Sequence, residues 1–72
     1  LGDVGSNEAE WISPREQELL GVLAEGLTNR EIAARLVLEE STIRTHLRNI
    51  YRKLGVNSRV RAIQRARELG LL

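Results

Sequence analysis

The chain has 72 residues, 42% of them hydrophobic and 29% charged, with a formal net charge of +1, no cysteine and one histidine. That length allows one small domain, which buries only about 60% of its unfolded surface and has no room for a large active-site cleft. Disulfides and thiolate metal sites are excluded, one histidine cannot build a metal centre without several carboxylates, and no cofactor is expected.

Residues 1–11 hold two glycines and three acids with little apolar periodicity, the pattern of a flexible linker or tail. Ser13-Pro14-Arg15-Glu16 is a capping box with proline at the first helical position, and it predicts a helix over about 14–25. Leu19, Leu20, Leu23 and Ala24 give that helix a buried face, and Gly26 ends it. Trp11, just before the cap, reads as a staple onto the bundle, with contact to a neighbouring domain of a longer protein as the alternative. Thr28-Asn29-Arg30-Glu31 repeats the capping box and opens a short helix over about 29–36, with Ile32, Ala33 and Leu36 inward. Glu16 and Glu31 are therefore capping residues, not functional acids. A tight connection follows. Val37 lies in it, where many such turns have glycine, and a valine there predicts an ordinary negative φ.

The third helix covers about 40–54 and is stopped by Gly55, with Val56 available for the apolar contact that accompanies such caps. Asn57 or Ser58 caps a fourth helix over about 58–69, whose apolar face is Val60, Ile63, Ala66 and Leu69. No segment reads as a strand. The fold class is all-α, a four-helix bundle over residues 12–72 with a helix-turn-helix at its centre.

Charge is distributed unevenly. Residues 1–28 sum to −5 and residues 29–72 to +6. Between Ser41 and Arg67 there are eight positive charges and no acid. A surface that is merely soluble mixes its signs, so this run points to an anionic partner, double-stranded nucleic acid before others. At about 100° per residue, Ile43, Leu47, Ile50, Tyr51 and Leu54 face the core of the third helix. Arg44, Thr45 and Arg48 fall where an N-terminal half inserted in a major groove reaches base edges. Arginine forks suit guanine O6 and N7, and the threonine methyl suits a thymine methyl. Thr42, His46, Asn49, Arg52 and Lys53 are placed for phosphates, which fix register without carrying sequence information. His46 has no nucleophile at a matched spacing, so a phosphate contact or helix packing outweighs catalysis, and no enzyme is expected. Tyr51 is packing or groove edge, because one aromatic cannot track a single strand.

The segment Asn29-Arg30-Glu31-Ile32-Ala33 together with Ser41–Val56 closely resembles the LuxR/GerE-type helix-turn-helix domain over residues 12–72, and its wording is similar to the MalT-type large regulators. The resemblance implies the C-terminal domain of a transcription regulator, with the third helix in the major groove and the fourth pairing two copies on DNA through Val60 and Ile63; with no secretory signal or long apolar run in the sequence, a cytoplasmic location is expected. It implies base contacts from Arg44, Thr45 and Arg48, and backbone contacts from Asn29, Thr42, His46 and Lys53. Glu39 departs from the pattern, which has Ser or Thr at that cap. Four arginines on a dimer helix would repel, so Arg59, Arg61, Arg65 and Arg67 are expected to point away from the two-fold contact, with Arg59 nearest the DNA. The alternative is an interaction domain of the same fold docking an acidic partner such as an RNA polymerase subunit or a sensor domain. No membrane partner is expected. A chain that begins with Leu1 reads as a piece of a longer protein.

Overall fold

The structure, a computed structural model, describes residues 11–72. The tail expected over 1–11 therefore lies, except for Trp11, outside the described residues. The elements are α1 (Pro14–Ala24), α2 (Asn29–Leu36), α3 (Glu40–Leu54) and α4 (Arg59–Glu68), with no strand among the described residues.

Both capping boxes form. The Ser13 hydroxyl accepts from the Glu16 amide at 3.1 Å, and Glu16 accepts from the Ser13 amide at 2.9 Å. Thr28 and Glu31 repeat the exchange at 3.2 and 2.8 Å. The Thr28 hydrogen bonds hold the Glu31 carboxyl below its ordinary pKa. Two helices end one residue inside the expected limits. Glu25 is the C-cap of α1, and Ser58, in extended backbone, caps α4 by accepting from the Arg61 amide at 3.2 Å.

Leu19, Leu20 and Leu23 of α1 meet Ile32 and Ala33 of α2 and Ile43, Leu47, Ile50 and Leu54 of α3 in one core. Ala33 is small enough for α2 and α3 to approach closely across their turn. α4 differs from expectation. Its buried residues are Ala62 and Ala66, Ile63 and Leu69 pack partly against the core, and Val60 is 65% exposed. Trp11 packs half-buried on the core, while the residue that is buried just before the cap is Ile12.

The turn between α2 and α3 overturns the expected negative φ. Val37 sits in the left-handed region at φ 57°, ψ 48°. The cause is a Schellman closure: the Leu38 amide donates to the Ala33 carbonyl at 2.9 Å and the Val37 amide to Ala34 at 3.4 Å, while Leu38 packs onto the core. The same closure follows α3, where Gly55 takes φ 71° and the Val56 amide reaches the Tyr51 carbonyl at 2.9 Å. A β-branched residue in that region stores about 1–3 kcal/mol of strain. Val37 is 88% exposed, so little packing offsets the strain. Val37→Gly should stabilise the domain by about 1 kcal/mol, once the extra freedom of glycine in the unfolded chain is deducted. The check is a urea or thermal melt, and an unchanged or lower midpoint would refute the strain.

α3 begins without a side-chain cap, because Glu39 occupies the N-cap in extended backbone and makes no cap hydrogen bond. Glu39→Ser would supply an acceptor for the Thr42 amide and should add about 1 kcal/mol of stability. On the duplex-binding expectation from the sequence, it should also strengthen association with random duplex DNA, since it removes one negative charge from the N-cap of α3. Melting and duplex titration of the same variant test the two effects separately.

Candidate nucleic-acid interface

The buried stripe of α3 fixes which residues it turns outward. Arg44, Thr45 and Arg48 lie together on the exposed side, as the sequence expects. The Thr45 hydroxyl donates to the Ser41 carbonyl at 3.1 Å, so the methyl is its free end. The Arg44 guanidinium lies 3.5 Å from the Glu40 carboxylate with both side chains about half exposed. An i,i+4 pair of this kind contributes only about 0.3–0.5 kcal/mol and yields readily to a better acceptor. Arg48 makes no ion pair among the described residues.

On one flank, Asn29, Arg44, Arg48, Tyr51 and Arg52 border an open hollow of about 520 Å³ whose floor includes Leu47 and Val56. Donors thus surround an apolar base, and the fixed charges on its rim are all positive. Arg52 also donates to the Asn49 side-chain carbonyl at 3.3 Å. Tyr51 combines the two roles open to it, packing on the core and edging the hollow. On the other flank, Thr42, His46 and Asn49 are half-buried beside α3's buried stripe.

Two expected phosphate contacts have other engagements. The Lys53 ammonium donates to both Glu16 oxygens, at 2.8 and 3.0 Å, and to the Trp11 carbonyl at 3.0 Å. It locks the end of α3 to the start of α1, 37 residues away in sequence. Burial pushes the Glu16 carboxyl up, but hydrogen bonds from Lys53 and from the Ser13 amide outweigh it and hold the pKa below the ordinary value. Arg59 donates to the Leu27 carbonyl at 2.6 Å and to the Asn29 side-chain oxygen at 3.2 Å. Neither pairing could be read from local spacing. The only sequence signal was a cation in the first turn of α4, where the helix dipole disfavours it.

On α4 the burial of Ala62 and Ala66 turns Val60, Gln64 and Arg67 outward, with Ile63 at the edge of that stripe. Arg67 therefore falls between Val60 and Ile63 around the helix and cannot point away from a contact that those two make. Arg65 does turn to the opposite flank, where it bridges Glu68 at 3.1 Å. Among the described residues no cluster of His, Cys, Asp or Glu could hold a metal ion, and no helix is long and apolar enough to cross a membrane.

The family described as bacterial regulatory proteins, luxR family, matches residues 10–66. The chain is 42% identical over 67 residues to the HTH-type transcriptional regulator AlkS of Alcanivorax borkumensis, covering 93% of this chain and 8% of that protein. It is 43% identical over 58 residues to the HTH-type transcriptional regulator MalT of Serratia proteamaculans, covering 81% and 6%. The probable transcriptional regulatory protein SgaR of Hyphomicrobium methylovorum is 48% identical over 54 residues, covering 75% and 26%. The chain thus spans at most about a quarter of these relatives. A crystal structure of the response regulator ChrA, from a heme-sensing two-component system, superposes with a TM-score of 0.84 at 49% identity, covering 85% of this chain and 30% of that one.

Proposed function

Because the chain belongs to the luxR family of bacterial regulatory proteins, we propose that it is the sequence-specific, double-stranded-DNA-binding domain of a longer transcription regulator. The observation that carries this reading is the exposed side of α3, where Arg44, Thr45 and Arg48 stand together with no acidic residue from Ser41 to Arg67. α3 enters the major groove, and these three side chains read base edges. Asn29, Thr42, His46, Asn49 and Arg52 lie against the sugar-phosphate backbone and set register. Lys53 and Arg59 support the interface from behind. The domain works in the cytoplasm, and two copies pair on DNA through Val60 and Ile63 of α4, with Arg67 at the rim of that contact. Stable interfaces bury upward of about 1,000 Å², more than one short helix supplies, so pairing depends on the DNA that holds both copies.

Salt titration tests the reading. Association with a random duplex should give a log–log salt slope of several units, about 0.9 for each phosphate neutralised. A flat response would instead favour an acidic protein partner such as a polymerase subunit. Selection from a random duplex pool should then return a two-fold-related site, and a pool without enrichment would refute sequence-specific binding.

A further inference from the structure

We infer that Arg59 is a positioning residue: it turns Asn29 into a donor-only group facing the hollow beside α3, and the ligand so favoured is a backbone phosphate. The inference rests on the DNA reading and goes beyond it by separating the residue that touches phosphate from the residue that aims it.

The geometry is a fork. One guanidinium nitrogen of Arg59 donates to the Leu27 carbonyl at 2.6 Å, and the other to the Asn29 side-chain oxygen at 3.2 Å. Arg59 is half-buried, whereas Arg61, Arg65 and Arg67 of the same helix are exposed. It does not border the hollow, but Asn29 does, on the same rim as Arg44, Arg48 and Arg52. A carboxamide has an acceptor end and a donor end. With its oxygen held by a guanidinium, the end left for the hollow is the NH2. Asn29 is not needed to cap α2, since Thr28 and Glu31 do that. Arg59 does not serve α4 either: it is the first residue of that helix, where a positive charge opposes the dipole. Both residues sit where their own helices gain nothing from them, and they bond to each other across 30 residues of sequence.

The fork also ties α4 to the DNA side. Val60, the next residue, lies on the stripe proposed to pair two copies. A shift of α4 would move Arg59 and release the Asn29 amide.

The probe is a random-sequence duplex titrated at several salt concentrations against the wild type, Asn29→Ala, Arg59→Ala, Arg59→Lys and Asn29→Ala/Arg59→Ala. Asn29→Ala should weaken binding about fivefold, the size of one lost hydrogen bond, without changing the salt slope, because a neutral amide releases no counterion. Arg59→Ala should lose the same factor at the same slope, and the double variant should lose no more than Arg59→Ala. Arg59→Lys keeps the charge but cannot reproduce the fork, so it should resemble Arg59→Ala. Thermal melts identify the folded fraction, and Arg59→Lys gives a second route if Arg59→Ala folds poorly. A slope lowered by about one in Arg59→Ala, with near-wild-type binding by Arg59→Lys, would show that Arg59 itself meets a phosphate and overturn the inference. Independent losses that multiply in the double variant would overturn it too. A wild-type chain that ignores duplex would remove the DNA reading, and this one with it.

Discussion

Lys53→Ala should destabilise the domain by about 2 kcal/mol, below the range for breaking a fully buried ion pair because the Lys53 side chain is a third exposed. For a domain of this size that lowers the melting temperature by roughly 8–16 °C. The loss is large because Glu16 is nearly buried, its side chain 9% exposed. Without Lys53 its carboxylate keeps only the Ser13 amide, and the Trp11 carbonyl loses its donor. Lys53→Met, which retains the stem, should lose nearly as much, and Glu16→Gln should remove most of the further effect of Lys53→Ala. If Lys53→Ala melts like the wild type while weakening duplex binding, the bridge is dispensable and Lys53 is a phosphate contact after all. The same pair sets an acid limit. The Glu16 pKa is lowered in the folded state, so its stabilisation is fully present above the ordinary carboxylate pKa, roughly pH 4–5, and is lost as pH falls through the lowered value. Glu16→Gln should flatten that acid-side decline, which a series of melts from pH 7 down to pH 3 would read.

Arg48→Ala should cost about 1–3 kcal/mol of specific binding and relax base choice at one position of the selected site. Arg48 is the sharpest probe because it is exposed and makes no ion pair among the described residues, so its removal leaves the fold intact. Arg44→Ala should cost a similar amount at a neighbouring position, less the small cost that the wild-type arginine bears in leaving Glu40. The measurement compares the selected duplex with a scrambled one at fixed salt. Equal losses on both duplexes would move Arg48 from base reading to backbone binding.

The parts of the molecule that could be read in advance are those whose partners lie close in sequence. Both capping boxes pair residues three apart, and they place the starts of α1 and α2. The apolar period of α3 separates Ile43, Leu47, Ile50 and Leu54 from the cationic side and holds in the structure. The Lys53–Glu16 bridge and the Arg59 fork span 37 and 30–32 residues, and no local pattern encodes them. Val37 misled because side-chain preference favours negative φ, whereas two backbone hydrogen bonds and the burial of Leu38 favour the left-handed turn. The face of α4 differs because hydropathy weights Val60 above alanine, while the fold turns Ala62 and Ala66 inward and leaves Val60 exposed.

Those alanines have one more consequence. Ala62 and Ala66 are the only fully buried side chains that α4 contributes, and each withdraws little apolar area from water. The helix is held by the half-buried Ile63 and Leu69 and by the chain end, where Leu71 is buried and its carbonyl accepts from the Gln17 side-chain amide at 3.2 Å. α1 and α3 interlock through leucines and isoleucines that are almost wholly enclosed. In native-state hydrogen exchange the α4 amides should therefore open in a smaller, cheaper unit than those of α1 and α3. Opening of that unit would uncover the faces of α1 and α3 that pack against α4 before the rest of the bundle gave way.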